Sequence, residues 1–354
     1  MSGVLRDFKN QFINYGLFVI SFLFFLMVTE VILRSSFIPV QPIFNQSERI
    51  EFEKDGLSYR MEPAQKLVLF DGHIKTEVII DHNGYRDLDV PSFPDKGLIA
   101  VGDSYTFGHG VASEDTWVEQ LQETLRVKVL NTGVQGYSLS DYQRVLSNLR
   151  QRGVLVRVIL YAMPWNDIHT GASVDARKSG LKVAQIFTVA QDRWAIMALA
   201  YRAVSNLAAL FKIQVNLSED RGLQKEIDLA KKQILEMAAT ARQLDVQLVI
   251  VYIGDITFVM DDLWNAHSRR HSYSRTIIQD NFSGWSHKNN ILFGDAVGAL
   301  QRAYRQSNGK RDSIALKIDN HYNRNGYQII AESFNDILKD NKLFNESSKL
   351  TYKN

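Results

Sequence analysis

Cysteine is absent from the 354 residues. The chain therefore has no disulfide, no thiol nucleophile and no thiolate metal site. Charge of one sign is not in excess either, since 41 Lys and Arg stand against 39 Asp and Glu. So even a balance leaves no basic footprint, and nucleic acid is not an expected partner. Proline is sparse, at six. Two of the six, Pro91 and Pro94, fall close together and with Lys96 mark a boundary. No internal repeat or low-complexity tract occurs. Hydrophobic residues at 45% and charged residues at 23% are the proportions of a globular protein with a sizeable core. The length allows one large domain or two small ones.

Long apolar runs are missing as well, with one exception. From Asn10 to Thr29 no charged residue occurs, and Phe, Leu, Ile and Val are dense. About 20 such residues span a hydrocarbon core as a helix. A cleaved signal peptide is the alternative reading. The run is long for that purpose, and no Ala-x-Ala site follows it. Residues 10–33 are therefore expected to form an uncleaved transmembrane anchor. Arg6 and Lys9 precede the span and Arg34 follows it. This bias points residues 1–9 to the cytoplasm and the main domain outward. The expected topology is a single crossing of a cytoplasmic membrane, with the main domain periplasmic or otherwise extracytoplasmic.

Residues 34–96 read as a small β-rich lead-in. Ile50-Glu-Phe-Glu53, Leu67-Val-Leu-Phe70 and Thr76-Glu-Val-Ile-Ile80 are strand-like, with Asp55-Gly56, Asp71-Gly72 and Asn83-Gly84 as turns between them. From Gly97 the pattern alternates. Strands are expected at Leu98–Val101, Val127–Leu130, Val154–Met163, Gln247–Tyr252 and Ile291–Phe293. Helices are expected at Asp115–Arg126, after a cap at Ser140, over about 182–215, at Leu223–Leu244 and at Asn325–Leu338. Alternation of this kind predicts an α/β domain over 97–340, with helices on both faces of a mostly parallel, flavodoxin-like sheet. Residues 341–354 form a polar tail.

Four segments carry chemistry. Gly102-Asp103-Ser104 ends the first strand, and Asn131-Thr-Gly-Val-Gln-Gly136-Tyr137 follows the second. Pro164-Trp-Asn166-Asp167 follows the third, and Asp319-Asn320-His321 precedes the last helix. Each has a plainer reading when taken singly: a turn, a cap or surface polarity. Three of them, however, fall on the carboxyl edge of one parallel sheet, where open α/β folds place their sites. A nucleophile, a base, an acid and oxyanion donors are then present together. His109 and His169 lack a third ligand at metal spacing, so no metal is expected. His267 and His271, beside Arg269 and Arg270, read as a solvated basic surface. Gly108-His-Gly110 is too weak a motif to suggest a nucleotide, and no cofactor is expected.

Over residues 97–338 these blocks resemble, in order, those of the SGNH hydrolases, also called GDSL esterases and lipases. Gly102-Asp103-Ser104 is similar to the nucleophile block of that family, Gly136 to the glycine of its second block, Asn166-Asp167 to its third, and Asp319 and His321 to its last. Pro164 stands where the third block usually has glycine, and one residue rather than two separates the Asp from the His. The lead-in Asn83-Gly-Tyr-Arg-Asp87 also resembles the segment that precedes this domain in membrane-anchored bacterial relatives tied to surface carbohydrate. The resemblance implies Ser104 as nucleophile, His321 as general base and Asp319 as its orienting acid. It implies an oxyanion hole from the Ser104 and Gly136 N–H groups and the Asn166 amide. Asp103 and Asp167 would support these residues, and Tyr137 and Trp165 could flank a sugar ring.

The function expected is a serine esterase that removes a small acyl group, acetyl for example, from a carbohydrate, a cell-surface polymer or a lipid-like substrate. An O-acyltransferase for an exported polysaccharide would use the same triad, with a membrane-bound export or acyl-transfer partner. A non-catalytic scaffold is a third reading. Intact Ser104, Asn166 and His321 argue against it.

Overall fold

The structure is a computed structural model. It describes residues 17–32, 50–52, 59–61, 63–70, 75–86, 97–151, 153–154, 156–169, 220–260, 269–317 and 320–343. The chain divides into two units. One comprises Met1–Gln46 and Lys178–Ser218, the other Ser47–Arg177 and Glu219–Asn354. In the first, residues 17–32 form helix α1, which exposes Leu17, Phe18, Ile20, Phe24 and Phe25. Among the described residues no helix is long and apolar enough to cross a membrane. Residues 10–16 and 33 of the expected anchor, and the helix expected over 182–215, lie outside the described residues.

The second unit begins with two antiparallel hairpins. Strand β1 (Ile50–Phe52) pairs with β2 (Tyr59–Met61), and β3 (Lys66–Phe70) with β4 (Lys75–Ile79). The lead-in is β-rich, as its turn signals predict. The main sheet has five strands: β5 (Gly97–Val101), β6 (Val129–Asn131), β7 (Val156–Pro164), β8 (Gln247–Gly254) and β9 (Leu292–Asp295). Their spatial order is β6-β5-β7-β8-β9, and every pairing is parallel. Counted within this sheet, the order is 2-1-3-4-5, the flavodoxin-like arrangement. β5 is buried along its whole length, which is why it reads as an unbroken apolar run.

The connection from β5 to β6 moves one way across the sheet, and that from β6 to β7 moves back. Right-handed crossovers therefore place the two connecting helices on opposite faces. The first is α3 (Trp117–Leu125). Thr116 caps it by accepting from the Glu119 N–H, and Trp117, Val118 and Leu121 turn inward. Trp117 stacks on Phe334 of the C-terminal helix Arg324–Asp340, with ring centroids 4.6 Å apart. The second is α4 (Leu139–Gln151), whose Gln143 donates to Thr240 of the long helix Asp220–Gln243 at 2.7 Å. Two helical layers thus enclose the sheet.

Sequence and structure differ in several elements. Ser140 lies inside α4 rather than at its cap. Ser138 precedes the helix, and both its N–H and its hydroxyl donate to the Asp141 carboxylate at 2.9 Å, which satisfies a donor at the helix start. The second strand begins at Val129, two residues later than its apolar run suggests. Helices Arg269–Lys288 and Val297–Gln306 were not expected.

Candidate active site

Three of the predicted segments hang from the carboxyl ends of adjacent strands. Gly102 follows β5, and Ser104 opens the one-turn helix α2 (Ser104–Phe107). Asp103 caps this helix: its Oδ1 accepts the Tyr105 N–H at 2.9 Å. The Gly108 and His109 N–H groups close the turn on the Ser104 carbonyl at 2.9 and 3.0 Å. The backbone N–H of Ser104, as the first residue of the helix, has no intrahelical acceptor and faces the positive end of the turn.

His321 reaches this serine from 217 residues away in sequence, with Nε2 at 2.7 Å from Ser104 Oγ. With the imidazole proton on Nδ1, the hydroxyl donates to Nε2, the geometry of a nucleophile and its general base. The loop carrying His321 is held at several points. Its carbonyl accepts the Leu316 N–H at 3.0 Å, and Tyr322 bridges Ala315. Asn323 caps the last helix by accepting from the Asn325 and Gly326 N–H groups. The Tyr105 hydroxyl donates to the Asn320 carbonyl at 2.8 Å. The His321 ring lies 4.7 Å from that of Tyr105 and 4.8 Å from that of buried His109, centroid to centroid. Asp319, the expected acid, lies outside the described residues.

Asn166 begins a short helix directly after β7. Its amide Nδ2 donates to Asp103 Oδ2 at 2.8 Å. Asp103 thus does two jobs with its two oxygens: one holds the start of α2, the other aims the Asn166 amide. An amide nitrogen carries two N–H groups, so the second remains for an oxyanion. Asp167 points the other way, into the core. Its carboxylate accepts from Tyr142 at 2.9 Å and from Tyr161 at 2.8 Å. Burial, with the Asp167 charge adding to it, keeps both phenols protonated well above the usual range.

Burial likewise lifts the Asp103 carboxyl above its ordinary range, against the opposing hydrogen bonds from Asn166 and Tyr105. A raised pKa means that the folded state holds this proton more tightly than the unfolded chain does. The stability this provides is complete below the ordinary carboxylate pKa, and it falls as pH rises through the folded value. In thermal unfolding from about pH 4 to 8, wild type will therefore lose stability relative to Asp103→Asn as pH rises, because the amide carries no charge to desolvate.

The second block is tied to the first. The Val134 N–H donates to the Gly102 carbonyl at 3.2 Å, and the Tyr137 N–H closes a turn on Val134. Gly136 sits in that turn, exposed, at φ 75°, a left-handed backbone that disfavours any side chain. Gly133, in the same block, makes a close approach of its own. A Cβ on Gly133 would lie 2.3 Å from the Phe107 backbone nitrogen and 2.7 Å from the Thr106 carbonyl carbon. Asn131 secures the same contact from the side, donating to the Thr106 carbonyl at 2.9 Å and accepting the Gly133 N–H at 3.0 Å. Gly133→Ala must push α2 away, and with it Ser104. We expect a loss of about 2 kcal/mol or more in denaturant unfolding, as for other overpacked sites, and a fall in Ser104 reactivity beyond what the stability loss explains.

The remaining expectations divide. Trp165 is half-buried and Tyr137 is buried, with 6% of its surface exposed, so only Trp165 offers open ring area. His109 is buried beside His321. Among the described residues no group of three or more His, Asp or Glu could hold a metal ion. The side chains of His169 and His271 and the whole of His267 lie outside them. The sequence assigns no role to Tyr105, next to the first block, or to Asn131 and Gly133, which lie inside the second.

No protein-family model matches the chain, and no curated protein does. Among solved structures it is similar to a lipolytic protein of the G-D-S-L family from Veillonella parvula, at 16% identity over 69% of this chain and 98% of that one, with a TM-score of 0.44. An acetyl xylan esterase is similar at 15% identity over 68% of this chain and 98% of that one, with a TM-score of 0.43. A psychrotrophic esterase from Pseudoalteromonas sp. is similar at 13% identity over 70% of this chain and 98% of that one, with a TM-score of 0.40. The parallel 2-1-3-4-5 sheet brings Gly102-Asp103-Ser104, Gly136 and Asn166 to its carboxyl edge, with His321 against the serine.

Proposed function

We propose that this protein is a membrane-anchored serine esterase that removes a small acyl group from a carbohydrate or cell-surface polymer outside the cytoplasm. The observation that carries the chemistry is the 2.7 Å contact between Ser104 Oγ and His321 Nε2. Ser104 attacks the ester carbonyl as His321 takes its proton. The tetrahedral oxyanion meets the free Ser104 N–H, the Asn166 amide and the Gly136 N–H, donors that gain strength as negative charge develops. Collapse expels the alcohol, which takes the proton from His321 and leaves an acyl-serine. Water, activated by the same imidazole, then releases the acid. Asp319, two residues before the base, is the group expected to hold the imidazole tautomer.

Anchoring is supported by α1, which exposes large apolar side chains around its circumference within the uncharged stretch. Such a helix is at home in an apolar environment. The acetyl and carbohydrate assignments rest on the resemblance, and the exposed part of half-buried Trp165 offers a surface for a sugar ring. The test uses the full chain in detergent with p-nitrophenyl acetate. A burst of nitrophenol equal to the enzyme concentration, absent in Ser104→Ala, supports the reading. No burst from folded wild type overturns it. A labelled acyl donor with a polysaccharide acceptor then separates the outcomes. Release of free acid is expected, whereas transfer in excess of hydrolysis would assign an acyltransferase.

A further inference from the structure

The lead-in reaches the nucleophile segment through Arg86 and Thr76. Residues 81–86 form a tight turn on Asp81, whose Oδ1 accepts the Asn83 and Tyr85 N–H groups at 2.8 and 3.0 Å. The Asp81 N–H donates to the Tyr85 carbonyl at 2.8 Å. The turn sends Arg86 across to the segment just after the nucleophile helix. There its Nη1 donates to the carbonyls of Phe107 at 2.9 Å and Gly108 at 2.6 Å, and its Nη2 to that of Val111 at 2.6 Å. The guanidinium lies over the Phe107 ring, 5.2 Å from its centroid. Thr76 of β4 adds a contact from its hydroxyl to the Gly110 carbonyl at 3.5 Å.

Arg86 is 3% exposed. Burial lowers its pKa to about 10, so it remains a cation at neutral pH. A buried charge without acceptors is costly, and so is a buried carbonyl without a donor. Here the two Nη groups and the three carbonyls satisfy one another, while the buried Nε has no partner among the described residues. The reason lies in α2. A single helical turn has no stability of its own, and Ser104 is its first residue. Asp103 fixes one end. At the other end Phe107 is the last helical residue and Gly108 its cap, and both give their carbonyls to Arg86. The planar fork of arginine can serve three carbonyls at once, whereas a lysine ammonium is a point charge on a flexible stem.

We propose that Arg86 is a positioning residue for the nucleophile: through the Phe107, Gly108 and Val111 carbonyls it clamps the far end of α2 and so aims Ser104 at His321. The lead-in is then part of the catalytic apparatus rather than a spacer. This rests on Ser104 being the nucleophile.

The test uses the full chain as wild type, Arg86→Lys and Arg86→Met, with two independent readouts. One is hydrogen–deuterium exchange at the Gly108 and His109 amides, which close the turn on Ser104. The other is burst kinetics on p-nitrophenyl acetate, with kcat and KM separated. In Arg86→Met we expect exchange at these two amides to rise at least about 10-fold while β7 and β8 keep their protection. We expect kcat to fall about 10-fold or more with KM within about 3-fold. Arg86→Lys should recover part of both, since it keeps the charge but not the fork. Unchanged exchange with kcat within about 2-fold of wild type would overturn the proposal. Unfolding of both variants would also overturn it, assigning Arg86 to the fold as a whole. If wild type itself shows no Ser104-dependent burst, the esterase reading fails, and the exchange data alone decide the clamp.

Discussion

Ser104→Ala will abolish the burst and lower kcat on p-nitrophenyl acetate by on the order of 10⁴-fold or more, with the fold intact. His321→Gln will do nearly the same, and the double variant will be little worse than either single one. The reason is that the two side chains act as one unit across 2.7 Å. An alcohol holding its proton is a poor nucleophile, and an imidazole with no hydroxyl to deprotonate has nothing to activate. Removing either half removes the whole covalent route. What remains is the contribution of the oxyanion donors, which needs neither side chain. Steady-state and burst kinetics on the three variants check this. Additive losses would mean that Ser104 and His321 do not share a step.

Asn166→Ala will cost about 10²–10³-fold in kcat, equivalent to about 3–4 kcal/mol, with a much smaller change in KM. In the proposed mechanism its amide contacts the oxyanion of the tetrahedral state more strongly than the ground-state carbonyl, so the loss falls on the chemical step. The structure adds a second expectation. Because Asp103 Oδ2 receives one Asn166 N–H, Asp103→Ala should reproduce part of the Asn166 defect even though Asp103 does not touch the substrate. It should also destabilise the chain by about 1–2 kcal/mol through loss of the α2 cap. Combining the two substitutions should give less than the sum of their effects on kcat, because the pair is in direct contact. Kinetics of the double-mutant cycle, read beside thermal unfolding, measure that coupling.

Arg86 carries the same logic into the lead-in. Its three carbonyl partners lie on the turn that presents the nucleophile. Any event that displaces residues 81–86 would therefore loosen Ser104 without touching it. The segment with no assigned role in the sequence is thus the one whose mechanical integrity the site depends on.

Much of this architecture could be read from residue order. Leu98-Ile-Ala-Val101 is apolar on both faces because β5 is covered by helices on both sides. Tyr327, Ile330, Ala331, Phe334 and Leu338 repeat at helical spacing because one face of the last helix is buried. The helix Arg269–Lys288 is not legible in the sequence for the opposite reason. Its buried Ile278, Phe282 and Ser286 are diluted by polar neighbours, and Gly284 interrupts the pattern. The start of β6 slipped by two residues, since an apolar run does not state where its pairing with β5 begins.

At the site, the order of residues alone singled out the groups capable of chemistry. Serine, asparagine and histidine have distinct side chains, and strand ends are marked by abrupt changes from apolar to polar. Distances, partners and supports came from the folded chain. Nothing in residues 104 and 321 states that they meet at 2.7 Å. Nor could Asp103 be seen to divide its two oxygens between Tyr105 and Asn166. Arg86 was hidden most completely, because its partners are backbone carbonyls, which every residue possesses and no sequence pattern displays. Gly133 was hidden because its requirement is steric: only once α2 lies against the β6 loop does a methyl group have nowhere to go.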